Sequence, residues 1–214
     1  MQSSTILFDL DGTLTDPGEG IVKSIQSALH HVGLPSVPEA QLRGFVGPPL
    51  QASFAELGAQ PHQIDPLVQA YRSRYRETGM FENVVYPEVP NLLAELQSRN
   101  CRLFVTTSKP TPFAVAILEH FHLHHFFDEI FGSNLDGSLA EKHDLLSHAR
   151  QQIGFAPAST ALVGDRKFDI TAARASGILA VGALWGYGSR AELVEAGADR
   201  LAESPQSVLD SLAA

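Results

Sequence analysis

The chain has 214 residues, of which 44% are hydrophobic and 18% are charged, and this balance is typical of a packed globular protein rather than a disordered one. Its formal net charge of -9 argues against a nucleic-acid polymer as partner, because binding to such a polymer needs a concentrated basic surface. The single cysteine, Cys101, excludes an internal disulfide and a thiolate metal cluster, and it agrees with a reducing compartment.

The first residues, MQSSTILFDLDGT, lack the pattern of a secretion signal or a membrane span. No basic stretch precedes the apolar run, and Asp9 and Asp11 interrupt that run. We therefore expect a cytoplasmic protein that has no membrane partner.

Apolar runs rich in β-branched residues recur along the chain, and each is followed by a polar loop and a helical pattern. This alternation predicts an α/β fold with a parallel sheet in a three-layer, Rossmann-like core. The runs are nearly continuous, so helices should cover both faces of the sheet. The predicted strands are Thr5 to Asp9, Arg102 to Thr107, Glu129 to Gly132, Thr160 to Val163 and Leu179 to Leu184.

Residues 17–83 break this alternation, because they show amphipathic helical patterns and no clear strand. Asp16 and Glu19 have the spacing of a capping box at the start of a first helix. We predict that residues 17–83 form a helical cap, inserted into a core that comprises residues 1–16 and 84–214.

Two features are predicted inside this cap. The loop Gly44–Leu50 should not be regular helix, because Pro48 and Pro49 remove backbone donors. A helix is predicted from about Gln63 to Thr78. After the cap, further helices are predicted to start near Ser189 and Ser204.

Two carboxylates, Asp9 and Asp11, stand at the end of the first predicted strand in the sequence FDLDGT. In an open parallel sheet, ligands bind where strands end and loops begin. Carboxylates this close repel each other, and a divalent cation with oxygen ligands, such as Mg²⁺, removes the repulsion. An Asx-turn would explain Asp11 and Gly12 without a metal, but it leaves Asp9 unexplained.

A second acidic pair, Asp165 and Asp169, follows the strand that ends at Val163. If Asp165 leaves the strand end and Asp169 lies in the first helical turn, both carboxylates can face one metal ion. The alternative is that Asp165 is simply a helix N-cap. Two acidic pairs at strand ends favour the metal site.

The other two strand ends carry groups that suit a phosphate. Thr107 and Ser108 offer hydroxyls and backbone N–H groups ahead of a helix. Lys142 begins the helix after the next strand and is a candidate partner for a phosphoryl oxygen. For any single lysine, however, a solvated surface position is the common alternative.

These four motifs, in this order, resemble those of the haloacid dehalogenase superfamily phosphatases of the phosphoglycolate phosphatase type, which have a helical cap after the first strand. The resemblance covers nearly the whole chain. It implies that Asp9 is the nucleophile that becomes an aspartyl phosphate. It also implies that Asp11 is the general acid that protonates the leaving oxygen and then activates water.

The same resemblance implies the ligands of phosphate and metal. Thr107 and Lys142 match the two phosphate-holding positions. Magnesium would be bound by the side chain of Asp9, the backbone carbonyl of Asp11 and the carboxylate of Asp165, with Asp169 in support.

Other activities fit the sequence less well. The dehalogenases of the superfamily lack the second carboxylate, here Asp11, and need no metal. Phosphonatase-like members use a cap lysine as a Schiff base, and the only lysine of the predicted cap, Lys23, is far in sequence from the Gly44–Leu50 loop. No feature of the sequence favours a mutase over a hydrolase. A phosphorelay receiver, which is a binding module, shares the strand-end aspartate but leaves the helical insertion without a purpose.

The substrate class is predicted to be a small phosphorylated metabolite, bound by a monomer or a homodimer. Three segments, Gly47–Leu50, Gly132–Gly137 and Trp185–Arg190, resemble a branch that includes 5'-nucleotidases, although Phe168 stands where that branch often has His. Phosphoglycolate is the alternative substrate.

Arg43 and the adjoining loop, Phe45–Pro49, are predicted to descend over the site and select the leaving group, since cap closure excludes water.

Several other features have plain structural interpretations. The histidines between residues 120 and 125 are expected to be exposed imidazoles at a helix end rather than a metal site. Trp185 is expected to pack beside a glycine turn rather than to stack on a base. The three arginines of the helix near residue 70 are expected to form a solvated face; they are Arg72, Arg74 and Arg76.

Overall fold

The computed structural model describes residues 4–48 and 50–213. The chain divides into two compact units, one comprising residues 1–15 and 85–214 and the other residues 16–84. Pro49 of the predicted cap loop lies outside the described residues.

The larger unit is built on a six-stranded parallel sheet. Its strands are β1 (Thr5–Phe8), β4 (Arg102–Pro110), β5 (Glu129–Ser133), β6 (Thr160–Gly164), β7 (Leu179–Ala183) and β8 (Arg200–Ala202). Their spatial order is β5-β4-β1-β6-β7-β8, so β1 lies at the centre between β4 and β6. Two short strands, β2 (Thr15–Asp16) and β3 (Val84–Val85), pair where the chain passes between the units.

The five predicted strands are confirmed, with small shifts at their ends. Strand β1 stops at Phe8, so Asp9 is the first residue beyond it, and β4 continues through Lys109 to Pro110. Strand β8 was not predicted, because Arg200–Ala202 is only three residues long and contains no β-branched residue.

The helices of this unit cover the sheet. They are α5 (Val89–Ser98), α6 (Thr111–His120), α7 (Lys142–Ile153), α8 (Lys167–Ala175), α9 (Arg190–Glu195) and α10 (Val208–Ala213). On one face, Leu7 and Phe104 of the sheet pack with Leu145 of α7 and Ile170 of α8. Burying each such side chain contributes roughly 1.5–3 kcal/mol, so this core holds α7 and α8 against the sheet.

Two helix starts were predicted in this region, and one is confirmed. The hydroxyl of Ser189 accepts a hydrogen bond from the Glu192 N–H at 3.1 Å and caps α9. The start predicted at Ser204 is wrong, because Ser204 and Ser207 bond to each other in a turn, and α10 begins only at Val208.

The smaller unit is helical. Its helices are α1 (Gly18–His31), α2 (Glu39–Leu42), α3 (Leu50–Glu56) and α4 (Pro61–Glu77). Helix α1 approaches the short turn Gly79–Phe81 closely, since a Cβ on Gly20 would lie 1.9 Å from the Gly79 carbonyl oxygen. Glycine is therefore required at position 20.

The predicted capping box at α1 is wrong in detail. The carboxylate of Asp16 accepts a hydrogen bond from the Gly18 N–H at 3.0 Å. Glu19 does not return to the helix start, because its carboxylate is paired with the Lys23 ammonium. The cap loop, in contrast, is irregular as predicted from Gly44 to Pro48, with a 3-10 turn at Arg43–Phe45 and bends up to Pro48, although Leu50 already begins α3.

The solvated face predicted for the arginines of α4 is wrong for Arg74. Its guanidinium binds both carboxylate oxygens of Glu82, at 2.8 and 3.1 Å, and also donates to the Ser24 hydroxyl at 3.0 Å. The side chains of Arg74 and Glu82 are 25% and 20% exposed. This forked ion pair ties α4 to the residue that follows the Gly79–Phe81 turn, which the helical spacing of the arginines does not reveal.

We expect Glu82→Gln to lower the free energy of unfolding by about 1 kcal/mol at neutral pH, because the ion pair with Arg74 is lost. The hydrogen bond from Arg74 in this pair lowers the pKa of Glu82. A lowered pKa in the folded state means that the stabilisation is present above the usual carboxyl pKa and is lost as the pH falls through the lowered value. Urea unfolding at neutral and acidic pH, with the exposed Glu56→Gln as control, measures the difference. An equal loss in both variants would contradict the assignment.

Candidate active site

The sheet brings four charged residues to one edge. Asp9 directly follows β1, Asp165 directly follows the neighbouring strand β6, Lys142 is the first residue of α7, and Asp169 lies in the first turn of α8. Because β1 and β6 are parallel, with Phe8 level with Val163, their carboxyl ends lie side by side. Residues that are 156 positions apart in the chain therefore meet.

Three carboxylates form a compact acidic group. One oxygen from each of Asp9, Asp165 and Asp169 lies within 4.8 Å of the other two. Asp165 and Asp169 are fully buried, at 0% and 1% exposure. Among the described residues this is the group whose geometry could hold a metal ion.

The electrostatics of this group fit a bound cation. Burial, followed by the negative charges of Asp169 and Asp9, raises the pKa of Asp165 to about 8. Burial also raises the pKa of Asp169 to about 6, although the Lys142 ammonium opposes the shift. Desolvated carboxylates that share one space need more positive charge than one ammonium supplies, and a hard divalent ion with oxygen ligands meets that need.

The ammonium of Lys142 faces the acidic group. Its ammonium lies 3.0 Å from Asp9 Oδ1 and 2.8 Å from Asp169 Oδ1, and it donates to the Thr106 carbonyl at 2.9 Å. Burial alone would lower the pKa of Lys142, but the carboxylates of Asp169 and Asp9 outweigh burial and raise it. The alternative of a solvated surface lysine is therefore wrong, since the side chain is 4% exposed.

Asp165 is held by two loops and is not a helix cap. Its Oδ2 accepts a hydrogen bond from the Tyr187 N–H at 2.8 Å, and its Oδ1 accepts one from the Thr13 hydroxyl at 3.2 Å. Helix α8 has Arg166, not Asp165, at its N-cap. The N-capping alternative is excluded, and both oxygens of Asp165 are fixed in orientation.

Glycines make room for this carboxylate. Gly12 has a φ of +82°, and a Cβ there would lie 2.3 Å from Asp165 Oδ2; a Cβ on Gly186 would lie 2.3 Å from Asp165 Cβ. The indole N–H of Trp185 donates to the Thr13 carbonyl at 3.0 Å, which links the two loops. This hydrogen bond was not predicted from the sequence, and the packing role expected for Trp185 stays a prediction.

Asp11 has a different partner from the other carboxylates. Its Oδ2 lies 2.7 Å from the Lys109 ammonium, and both side chains are largely buried, at 13% and 7% exposure. Burial raises the pKa of Asp11, and the nearby Lys109 opposes the rise. No role was predicted for the Lys109 side chain; the scarcity of lysine, four in the chain, was the one available signal.

The predicted phosphate-holding residues lie at the end of β4. Thr107 is buried, and its hydroxyl accepts a hydrogen bond from the Lys109 N–H at 3.2 Å. The carbonyl of Ser108 accepts one from the Ser133 hydroxyl at 2.8 Å. Strand β4 pairs with β1, with Val105 level with Phe8, so this segment belongs to the same edge of the sheet as Asp9.

Arg43 belongs to the smaller unit. Its guanidinium lies 3.3 Å from Glu39, and its side chain is 53% exposed. Its role in selecting the leaving group stays a prediction.

The remaining sequence features are unremarkable in the structure. The four histidines are exposed as predicted; they are His120, His122, His124 and His125. In the described part of the chain, no helix has both the length and the apolar character that a membrane span requires.

Comparison with known proteins identifies relatives over most of the chain. A family model described as haloacid dehalogenase-like hydrolase matches residues 6–183. A 5'-nucleotidase from Pseudomonas aeruginosa is 42% identical over 189 residues, which cover 88% of this chain and 86% of the relative. A phosphoglycolate phosphatase from Vibrio cholerae is 30% identical over 224 residues, covering 96% of this chain and 95% of that protein.

One relative of this chain is named as a kinase rather than as a phosphatase. Tyrosine-protein kinase PtkA from Mycobacterium tuberculosis is 41% identical over 191 residues, which cover 89% of this chain and 65% of that longer protein. Among solved structures, a predicted phosphatase from Clostridium acetobutylicum superposes with a TM-score of 0.94 at 37% identity, and the match covers 100% of this chain and 99% of that one.

The sheet topology and the family model both indicate a haloacid dehalogenase-like hydrolase. The relatives named 5'-nucleotidase, phosphoglycolate phosphatase and predicted phosphatase indicate that it is a phosphatase. The resemblance inferred from the four motifs is confirmed. The chain belongs to the haloacid dehalogenase-like hydrolase family.

Proposed function

We propose that this phosphatase hydrolyses a phosphomonoester of a small soluble metabolite with the help of Mg²⁺, through an aspartyl phosphate on Asp9. The observation that carries the proposal is the convergence of Asp9, Asp165 and Asp169 on one point beside the Lys142 ammonium. We further propose that the enzyme acts in the cytoplasm as a monomer or a homodimer.

Asp9 is suited to the role of nucleophile. Its Oδ1 accepts hydrogen bonds from the Leu10 N–H at 2.8 Å and from the Lys142 ammonium at 3.0 Å, so the carboxylate is held in one orientation at the strand end. Attack by an anion on a phosphate dianion is repulsive, and Lys142 offsets part of the charge that gathers in the transition state. Mg²⁺ held by Asp9 and Asp165, with Asp169 in support, would supply the remaining positive charge.

Asp11 is suited to proton transfer. Its carboxyl group is two residues from Asp9 and is buried, and burial raises its pKa toward the range in which an acid can hold its proton. We propose that Asp11 protonates the leaving oxygen when phosphorus bonds to Asp9. After the alcohol leaves, the resulting Asp11 carboxylate would take a proton from the water that attacks the aspartyl phosphate.

The preferred substrate is proposed to be a nucleoside 5'-monophosphate. Support comes from the relative named 5'-nucleotidase and from the three segments that resemble that branch. Phosphoglycolate is the alternative, because a relative of lower identity carries that name. The fold alone does not discriminate between them.

Replacement of the nucleophile tests the covalent mechanism. We expect Asp9→Asn to lower kcat by at least ~10³-fold, because the amide cannot form the aspartyl phosphate. Thermal unfolding should show that the variant still folds, since the two side chains are nearly isosteric. The control is Asp210→Asn at an exposed carboxylate of α10, which should retain full activity. Substantial turnover by the Asp9 variant would contradict the mechanism.

Metal binding should release a proton. With a pKa of about 8 for Asp165 in the metal-free protein, its carboxyl group is mostly protonated at neutral pH, and Mg²⁺ requires the carboxylate. We therefore expect release of about one proton per ion bound, and tighter binding as the pH rises from about 6 to 8. Calorimetry in buffers of different ionisation enthalpy measures the release. Asp165→Asn should weaken binding and abolish the release; unchanged binding by this variant would exclude the site.

A substrate panel tests the activity and its specificity. Nucleoside 5'-monophosphates, phosphoglycolate and sugar phosphates are compared at equal concentration, with Mg²⁺ and with a chelator. We expect multiple turnovers only with Mg²⁺ and the highest kcat/KM for a nucleotide. A highest value for phosphoglycolate would select the alternative substrate. If no phosphomonoester is turned over with Mg²⁺, the result would favour the alternative of a phosphorelay-type binding module.

A further inference from the structure

We propose that Lys109 is a positioning residue for the general acid: it holds one oxygen of Asp11 so that the other faces the leaving group. This inference rests on the proposed function, in which Asp11 transfers the proton. It assigns a role to a lysine that is distinct from the phosphate-holding Lys142.

The two oxygens of Asp11 have different environments. Oδ2 lies 2.7 Å from the Lys109 ammonium. Oδ1 is buried and has no hydrogen-bond partner among the described residues. A buried carboxylate oxygen without a partner is costly, and such atoms are uncommon unless a bound molecule satisfies them. Oδ1 is therefore the oxygen reserved for a group that arrives with the substrate.

Lys109 is itself held by its surroundings. Its backbone N–H donates to the Thr107 hydroxyl, and the preceding carbonyl of Ser108 accepts from Ser133 of the neighbouring strand β5. A Cβ on Gly132 would lie 2.6 Å from the Lys109 carbonyl oxygen, so β5 approaches this backbone as closely as a glycine permits. The pairing of β4 with β5 is irregular between Thr107 and Pro110, where Lys109 lies. A fixed backbone and a side chain that is 7% exposed leave the ammonium little freedom.

The two buried lysines thus serve different carboxylates. Lys142 binds Asp9 and Asp169, on the side of the nucleophile, whereas Lys109 binds Asp11, on the side of the leaving group. In the transfer step, the O–H bond at Asp11 Oδ1 breaks, and the proton passes to the ester oxygen. At the same time, the P–O electron pair returns to that oxygen as phosphorus bonds to Asp9. Lys109 forms and breaks no covalent bond; it keeps Oδ1 directed at the ester oxygen.

A purely electrostatic role for Lys109 makes a different prediction. A lysine that only neutralised the phosphate would assist all phosphomonoesters alike. A lysine that orients the general acid matters only where the leaving group needs a proton, because general acid catalysis benefits poor leaving groups most. Leaving-group dependence therefore separates the two roles.

The test compares Lys109→Met with the parent protein on p-nitrophenyl phosphate, whose leaving group needs little protonation, and on the best alkyl substrate of the panel. The ratio kcat/KM includes formation of the aspartyl phosphate and excludes its later hydrolysis, which is common to both substrates. We expect a loss of roughly 30-fold on the alkyl ester and less than about 3-fold on the aryl ester. The exposed Lys167→Met is the control and should match the parent protein on both.

Two further variants complete the test. In an Asp11→Ala background, Lys109→Met should cause no additional loss on the alkyl ester, because a positioning residue acts only through the group it holds. Lys109→Arg keeps the charge but changes its geometry, and it should show a smaller loss with the same selectivity for the alkyl ester. This variant also supplies the comparison if Lys109→Met does not fold.

Equal losses on both esters, or an additional loss in the Asp11→Ala background, would overturn the inference. Failure of the proposed function is a separate outcome, since it would appear as turnover of either ester by the Asp9→Asn variant.

Discussion

Three carboxylates that share one buried space are the constraint on which the rest of this structure depends. Asp9, Asp165 and Asp169 converge within 4.8 Å, and burial makes their mutual repulsion expensive. The Lys142 ammonium offsets part of this charge, but burial first, and the neighbouring carboxylates second, still raise the pKa values of Asp165 and Asp169. A site that gathers buried carboxylates in this way is suited to a divalent cation and to the charge that develops in phosphoryl transfer.

The fold meets this constraint by distributing the charges over separate strands. The ends of β1 and β6 supply one carboxylate each, the starts of α7 and α8 supply Lys142 and Asp169, and β4 supplies the Thr107–Lys109 segment. The apolar core between the sheet and helices α7 and α8 holds these charged groups at fixed distances from one another. Glycines at positions 12 and 186 let two loops close around Asp165, where any side chain would collide with it.

Much of this site could be predicted from the sequence because each motif is local. A continuous apolar strand followed by an acidic residue identifies Asp9 and Asp165 without knowledge of the fold, and helix geometry then places Asp169. The contacts that were missed join distant segments: Lys109 with Asp11, Tyr187 with Asp165, and Arg74 with Glu82. Helical or strand periodicity carries no information about such pairs, since they depend on which strands become neighbours and on how loops return.

The most direct measurement of the central claim is a crystal structure of the protein with Mg²⁺ and beryllium fluoride, which mimics a phosphoryl group on an aspartate. We expect a single Mg²⁺ ion in contact with Asp9 and Asp165, and the fluoride complex attached to Asp9 within reach of the Lys142 ammonium. An ion bound away from these carboxylates, or a fluoride complex on a residue other than Asp9, would contradict it.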